Sequence, residues 1–74
     1  MEEKIKVYVR TNENNEIVEI ASSIFLKNTK GWIKIDEGFG DKYAHAQSQY
    51  LEKPLSRIDG GFVYKLVGNK VKEI

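Results

Sequence analysis

From Lys4 to Thr11 apolar and polar residues alternate, with Ile5, Val7 and Val9 on one face and Lys6, Tyr8 and Arg10 on the other. That period of two is the pattern of a half-buried strand. Asn12-Glu13-Asn14-Asn15 follows, and asparagine tolerates the left-handed conformations that tight hairpin loops require. Ile17, Val18 and Ile20 then resume the strand pattern to Ala21. Whether the loop closes on Asn14-Asn15 or on Asn12 to Asn15, Val18 and Ile20 share a face with Val7 and Val9. The first hairpin therefore has one coherent apolar side in either register.

Ser22-Ser23-Ile24-Phe25-Leu26 reads two ways, as a serine-capped short helix or as a buried bridge between strands. Asn28 to Gly31 reads as a turn and Trp32 to Ile35 as a third strand, with Ile33 and Ile35 on one face and Trp32 and Lys34 on the other. Trp32 is expected to cover an edge of the core. Asp36 to Gly40 reads as a loop that ends at Asp41, whose carboxylate suits an N-cap. The spacing then predicts a helix over about 42–52, with Tyr43, Ala44, Ala46, Tyr50 and Leu51 on one arc and Gln47 near its middle. Pro54 stops it. Leu55 to Arg57 read as a connection, Asp59-Gly60-Gly61 as a turn or loop tip, and residues 62–67 as a fourth strand. Gly68-Asn69 reads as a type II′ hairpin turn that returns the chain as Val71 to Ile74.

These elements define a single small α+β domain over 1–74, about five short antiparallel strands packed with one main helix. At 74 residues, such a chain is near the lower limit for a fold held by a hydrophobic core alone, with roughly 3 to 5 kcal/mol of net stability. Cysteine is absent, which removes disulfides, thiolate nucleophiles and sulfur-ligated zinc. Apolar residues at 41% and charged residues at 31% describe a globular chain. Twelve Lys and Arg stand against eleven Asp and Glu, interspersed along the chain. Nucleic-acid binding is disfavoured on that balance. No apolar run exceeds three residues, and the first residues are Met-Glu-Glu-Lys. Neither a transmembrane span nor a secretory signal is expected, and the expected location is the cytoplasm.

Candidate chemistry is sparse. His45, the one histidine, stands opposite the apolar arc without a partner at a useful spacing, so a solvated side chain is the better reading. Asp36, Glu37 and Asp41 depart from the spacing of a calcium-binding helix–loop–helix, and a turn with an N-cap explains them. Gly38-Phe39-Gly40 lacks the Lys-Ser or Lys-Thr of a phosphate loop, and Asp41 places a negative charge there. No catalytic residue, cofactor or metal is expected. Eight aromatic residues are ample for so small a chain. They serve first as core and rim, and the expected partner-binding residues are Trp32, Phe39, Tyr43, Gln47 and Tyr50.

The segments Ser22 to Leu26, Gly31-Trp32-Ile33-Lys34-Ile35-Asp36-Glu37-Gly38, Gly40 to Gln47 with Tyr50-Leu51, and Lys53-Pro54-Leu55 resemble those of short phage and prophage proteins of Gram-positive bacteria, often encoded near tail genes. The resemblance covers nearly the whole chain. It departs at Ser48-Gln49, where Gly-Asn is expected, and at Asp59-Gly60-Gly61-Phe62, which follows the expected turn only loosely. The resemblance implies no enzyme activity and no ligand. It implies an accessory protein acting through protein partners or as a homo-oligomer in tail structure or assembly, in the host cytoplasm or associated with the virion. The rivals are a phage inhibitor of a host enzyme or defence protein and, behind it, a small nucleic-acid binder.

Overall fold

The computed structural model describes residues 4–51 and 53–74. Strands β1 (Ile5–Thr11) and β2 (Ile17–Ser22) form the antiparallel hairpin that the alternation predicts. Its loop consists of Glu13, Asn14 and Asn15, closed by the Asn12 N–H donating to the Glu16 carbonyl at 3.0 Å. That differs from either expected closure. Asn15 takes a left-handed φ of 62°, and the Asn12 side-chain oxygen accepts the N–H groups of Asn14 and Glu16 at 2.9 and 3.0 Å. Asparagine holds the turn by supplying an acceptor inside it.

The loop is followed by a bulge. Val9 faces Ile20 and Arg10 faces Glu19, but Thr11 faces Ile17, so Val18 is the extra residue. One inserted residue inverts the alternation locally. Ile17 is therefore fully buried and Val18 only half-buried. The expected placement of Val18 beside Val7 and Val9 is corrected to Ile17.

Strand β3 (Ile33–Gly38) pairs with the other side of β1, giving the order β2-β1-β3. It extends through Asp36, Glu37 and Gly38, which the sequence reading placed in a loop. The register shifts between Val7 and Tyr8, leaving Ile35 as the extra residue and setting Asp36 opposite the buried Val7. An acid reaches the inner face in this way, and the Tyr50 hydroxyl donates to it at 2.8 Å.

Because β2 and β3 both run antiparallel to β1, they are parallel to each other, and the chain between them must cross over the sheet. Residues 23–32 make that crossing on the outer face, where Arg10 stacks on the Trp32 ring at 5.4 Å. Ser22-Ser23 starts it as a turn: the Ser22 hydroxyl oxygen accepts the Ile24 N–H at 3.0 Å, and the Ser23 N–H donates to the Lys6 carbonyl at 2.8 Å. The segment is neither a helix nor a buried bridge, since Ile24 and Phe25 are more than half exposed.

The expected helix over 42–52 does not form as one element. Two single turns stand in its place, α1 (Asp41–Ala44) and α2 (Ala46–Gln49), and Glu52 lies outside the described residues. Gly40, with φ of 104°, is the N-cap instead of Asp41. His45 breaks the run at φ −113° and ψ 48°. Its N–H closes α1 on the Asp41 carbonyl at 2.8 Å, while its carbonyl opens α2 by accepting the Ser48 and Gln49 N–H groups at 3.0 and 2.8 Å. So short a helix cannot sustain itself, and tertiary contacts decide its path. The break places Ala46, at 1% exposure, in the core with Val7, Val9, Ile17 and Ile20.

After Pro54 a narrow hairpin closes by Val63 N–H donating to the Leu55 carbonyl at 3.0 Å. The last strands, β4 (Tyr64–Val67) and β5 (Lys70–Glu73), form a second sheet. Gly68 has φ of 62° while Asn69 does not share a positive φ, as the expected type II′ turn requires. This sheet meets the first where Glu16 bridges Lys65 and the Leu66 N–H donates to the Asn15 carbonyl at 2.8 Å. Strand content is 43% against 11% helix. Among the described residues the architecture is mostly β, five strands in two antiparallel sheets with two short helical turns, and the α+β reading with one main helix is corrected.

Candidate functional site

Two surfaces collect the side chains of interest. The first is an open cleft of about 570 Å³ between β3, the helical turns and the second sheet, lined in part by Asp36, Lys42, Tyr50, Tyr64, Lys70 and Glu73. Tyr50 stands at its wall, and the Tyr43 ring packs against it with ring centroids 6.0 Å apart. A continuous helix would separate residues seven apart by about 10 Å along its axis, so the break at His45 helps the rings meet. The hydroxyl end of the Tyr43 ring lies against Gly38: a Cβ there would sit 2.6 Å from two ring carbons. Lys42 places its ammonium over both rings, 5.8 Å from Tyr43 and 5.0 Å from Tyr50.

Burial raises the Tyr50 hydroxyl pKa above its ordinary value, and the hydrogen bond to Asp36, its negative charge and Tyr43 push it the same way. The folded protein therefore resists ionising this group more than the unfolded chain does. Stability from this source is fully present below about pH 10 and declines as pH rises further. Tyr50→Phe should show a shallower loss of stability than the parent between neutral pH and the alkaline range in parallel denaturation series. Equal slopes would remove Tyr50 from the account.

Most charges of this cleft are already engaged within the chain. Glu73 pairs with Lys53 at 3.2 Å, Asp36 holds Tyr50, and Lys42 rests on the tyrosines. Glu37 pairs with Lys34 at 3.8 Å, and no group of three or more His, Cys, Asp or Glu able to hold a metal occurs among the described residues. His45 is exposed.

The second surface is an apolar groove of about 450 Å³ along β2, formed by Val18, Glu19, Ile20 and Ala21 together with Phe25, Leu26, Trp32, Gln47 and Leu55. Alternate strand residues point to opposite faces. Only the edge of β2 brings four successive residues to one groove. Phe25 is 57% exposed, Trp32 is half-buried, and Gln47 is exposed. Gln47 was expected on the apolar arc; the break at His45 turns it outward, onto the groove wall.

Of the five residues expected to bind a partner, Trp32 and Gln47 thus converge on the β2 edge. Tyr43 and Tyr50 pack against each other and against the core, and of the two only Tyr50 lines the cleft. Phe39, 52% exposed, lines neither surface. Val18, Phe25, Leu26 and Leu55 were not singled out as site residues; for Phe25 and Leu26 the one signal is the triplet Ile24-Phe25-Leu26, an apolar run between a Ser-Ser turn and Lys27 with no periodic face to bury, and Val18 and Leu55 carry none. Comparison with protein-family models, with curated proteins and with solved structures gives no match.

Proposed function

We propose that this chain is a non-enzymatic accessory protein of a phage or prophage, acting through protein–protein contacts in tail structure or assembly. The observation that carries the protein-binding part is the groove at β2, where Phe25 stays open to solvent and Val18, Leu26, Trp32 and Leu55 are only partly covered. The resemblance of the motifs to those of phage proteins supports the tail assignment. A nucleic-acid role is disfavoured. Lys6, Arg10 and Lys34 do share the outer sheet face, but Arg10 pairs with Glu19 at 3.2 Å and Lys34 with Glu37, which leaves no basic stripe.

The same apolar groove favours a second reading, a phage inhibitor of a host enzyme or defence protein. Affinity capture with the full chain from lysogenic or infected cells, read by mass spectrometry, separates the two. A tail component recovered by the parent and lost with Phe25→Ala supports the tail role. A host enzyme recovered in the same pattern selects the inhibitor. Recovery of no protein above background would overturn both.

A further inference from the structure

Strand edges expose unpaired backbone groups, and proteins commonly guard them with charge, above all lysine. Four of the five strands carry such a residue: Lys6 in β1, Lys34 in β3, Lys65 in β4, and Lys70 and Lys72 in β5. β2, Ile-Val-Glu-Ile-Ala-Ser, has none, and it lies at the edge of its sheet. Its one acid, Glu19, is held by Arg10 at 3.2 Å. The second sheet reaches only its start, at Glu16.

The Ser23 N–H to Lys6 carbonyl bond fixes the phase of the β1–β2 ladder. Residues alternate between pointing their backbone groups at the partner strand and away from it. Glu19 and Ala21 therefore face β1 with their backbone, and Ile20 directs its N–H and carbonyl away from β1. Beside that edge lie the apolar walls of the groove. In the crossover, between the groove residues Leu26 and Trp32 in the chain, come the exposed Lys27 and Lys30, neither paired with an acid among the described residues.

We infer that β2 binds an extended segment of a protein partner as an added strand, and that this segment carries apolar side chains at alternate positions and acidic residues where it passes Lys27 and Lys30. The inference rests on the protein-binding reading above. Main-chain bonds to the edge at Ile20, which no strand pairs with among the described residues, supply affinity, while Phe25, Leu26, Trp32 and Leu55 receive the alternate side chains. Charge complementarity selects the occupant. A second copy of this chain fits less well, because it would bring the same two lysines to the contact and no unpaired acid from β2 to meet them.

The test is selection of linear peptides from a random display library on the full chain, with synthetic versions of the selected peptides then titrated. Enrichment of alternating apolar peptides with Asp or Glu at one end is expected. Methylating one alternate set of their amide nitrogens should weaken binding at least about tenfold, while methylating the other set is tolerated, because an added strand uses every second N–H. Phe25→Ala should also lose at least about tenfold. Lys27→Glu with Lys30→Glu should reverse the preference to basic peptides. All three positions are exposed, and melting curves check that the variants fold.

Peptides equally sensitive to both methylation phases, or unaffected by Phe25→Ala and by the charge reversal, would overturn strand addition at this groove; so would the absence of any enriched peptide. A dimer in sedimentation that Phe25→Ala dissociates would assign the edge to a second copy instead. Peptides that bind elsewhere reject this inference and leave the protein-binding reading standing, whereas failure of the cellular capture rejects that reading itself.

Discussion

Ile17→Ala is expected to destabilise the protein by about 2 to 5 kcal/mol, whereas Val18→Ala next to it should cost less than about 1 kcal/mol. Ile17 is fully buried in the core, and Val18 is the bulged residue on the groove wall. Deleting buried methyl groups loses their transfer free energy and leaves a cavity, while truncating a half-exposed valine does little of either. The first loss would consume most of the net stability of a domain this size, roughly 3 to 5 kcal/mol. Denaturant midpoints of the two variants decide the matter. If Val18→Ala proves the more damaging, the bulge is misplaced and the hairpin follows the simple alternation of its sequence.

Tyr64→Ala should be as severe, at about 3 to 5 kcal/mol. Tyr64 is 6% exposed, belongs to the core cluster, and opens the strand that carries the second sheet. Its hydroxyl oxygen accepts the Lys53 N–H at 3.1 Å, which ties the chain after the helical turns to β4. Losing the ring removes a large apolar area from the contact between the sheets. Tyr64→Phe keeps the ring and forfeits one hydrogen bond, for about 0.5 to 1.5 kcal/mol. Comparable effects of both variants would mean that the hydroxyl, and not the packing, joins the sheets.

Much of the β structure was legible because its signals are local. The alternation from Lys4 to Thr11 marks β1, and Gly68-Asn69 marks the last turn. The errors share a cause. A period of two places Val18 inside unless one residue is inserted, and nothing in Ile17-Val18-Glu19 announces an insertion; the three-residue asparagine loop and the contact with the second sheet set it. Asp36 and Glu37 look like loop residues, and only the bulge at Ile35 and the distant Tyr50 make Asp36 a strand residue on the inner face. The apolar arc over 42–52 is real as a spacing, but it does not reveal that Ala46 must reach the core while Tyr43 lies on Gly38. His45 adopts the dihedrals that reconcile them. In the site, Trp32 and Gln47 were visible as candidates. Phe25 was hinted at by its aperiodic apolar triplet, and Leu55 becomes a site residue only when the segment after Pro54 is brought to the same edge as the crossover.

The central claim is that a partner binds at the outer edge of β2. Hydrogen exchange of the full chain, measured alone and with the protein recovered by capture, tests it most directly. Binding at the edge should slow exchange at the Ile20 amide and in the crossover around Ile24 to Leu26, and leave β5 and the tyrosine cleft unchanged. Protection confined to residues 64–73 and the helical turns, with Ile20 exchanging as in the free protein, would contradict it.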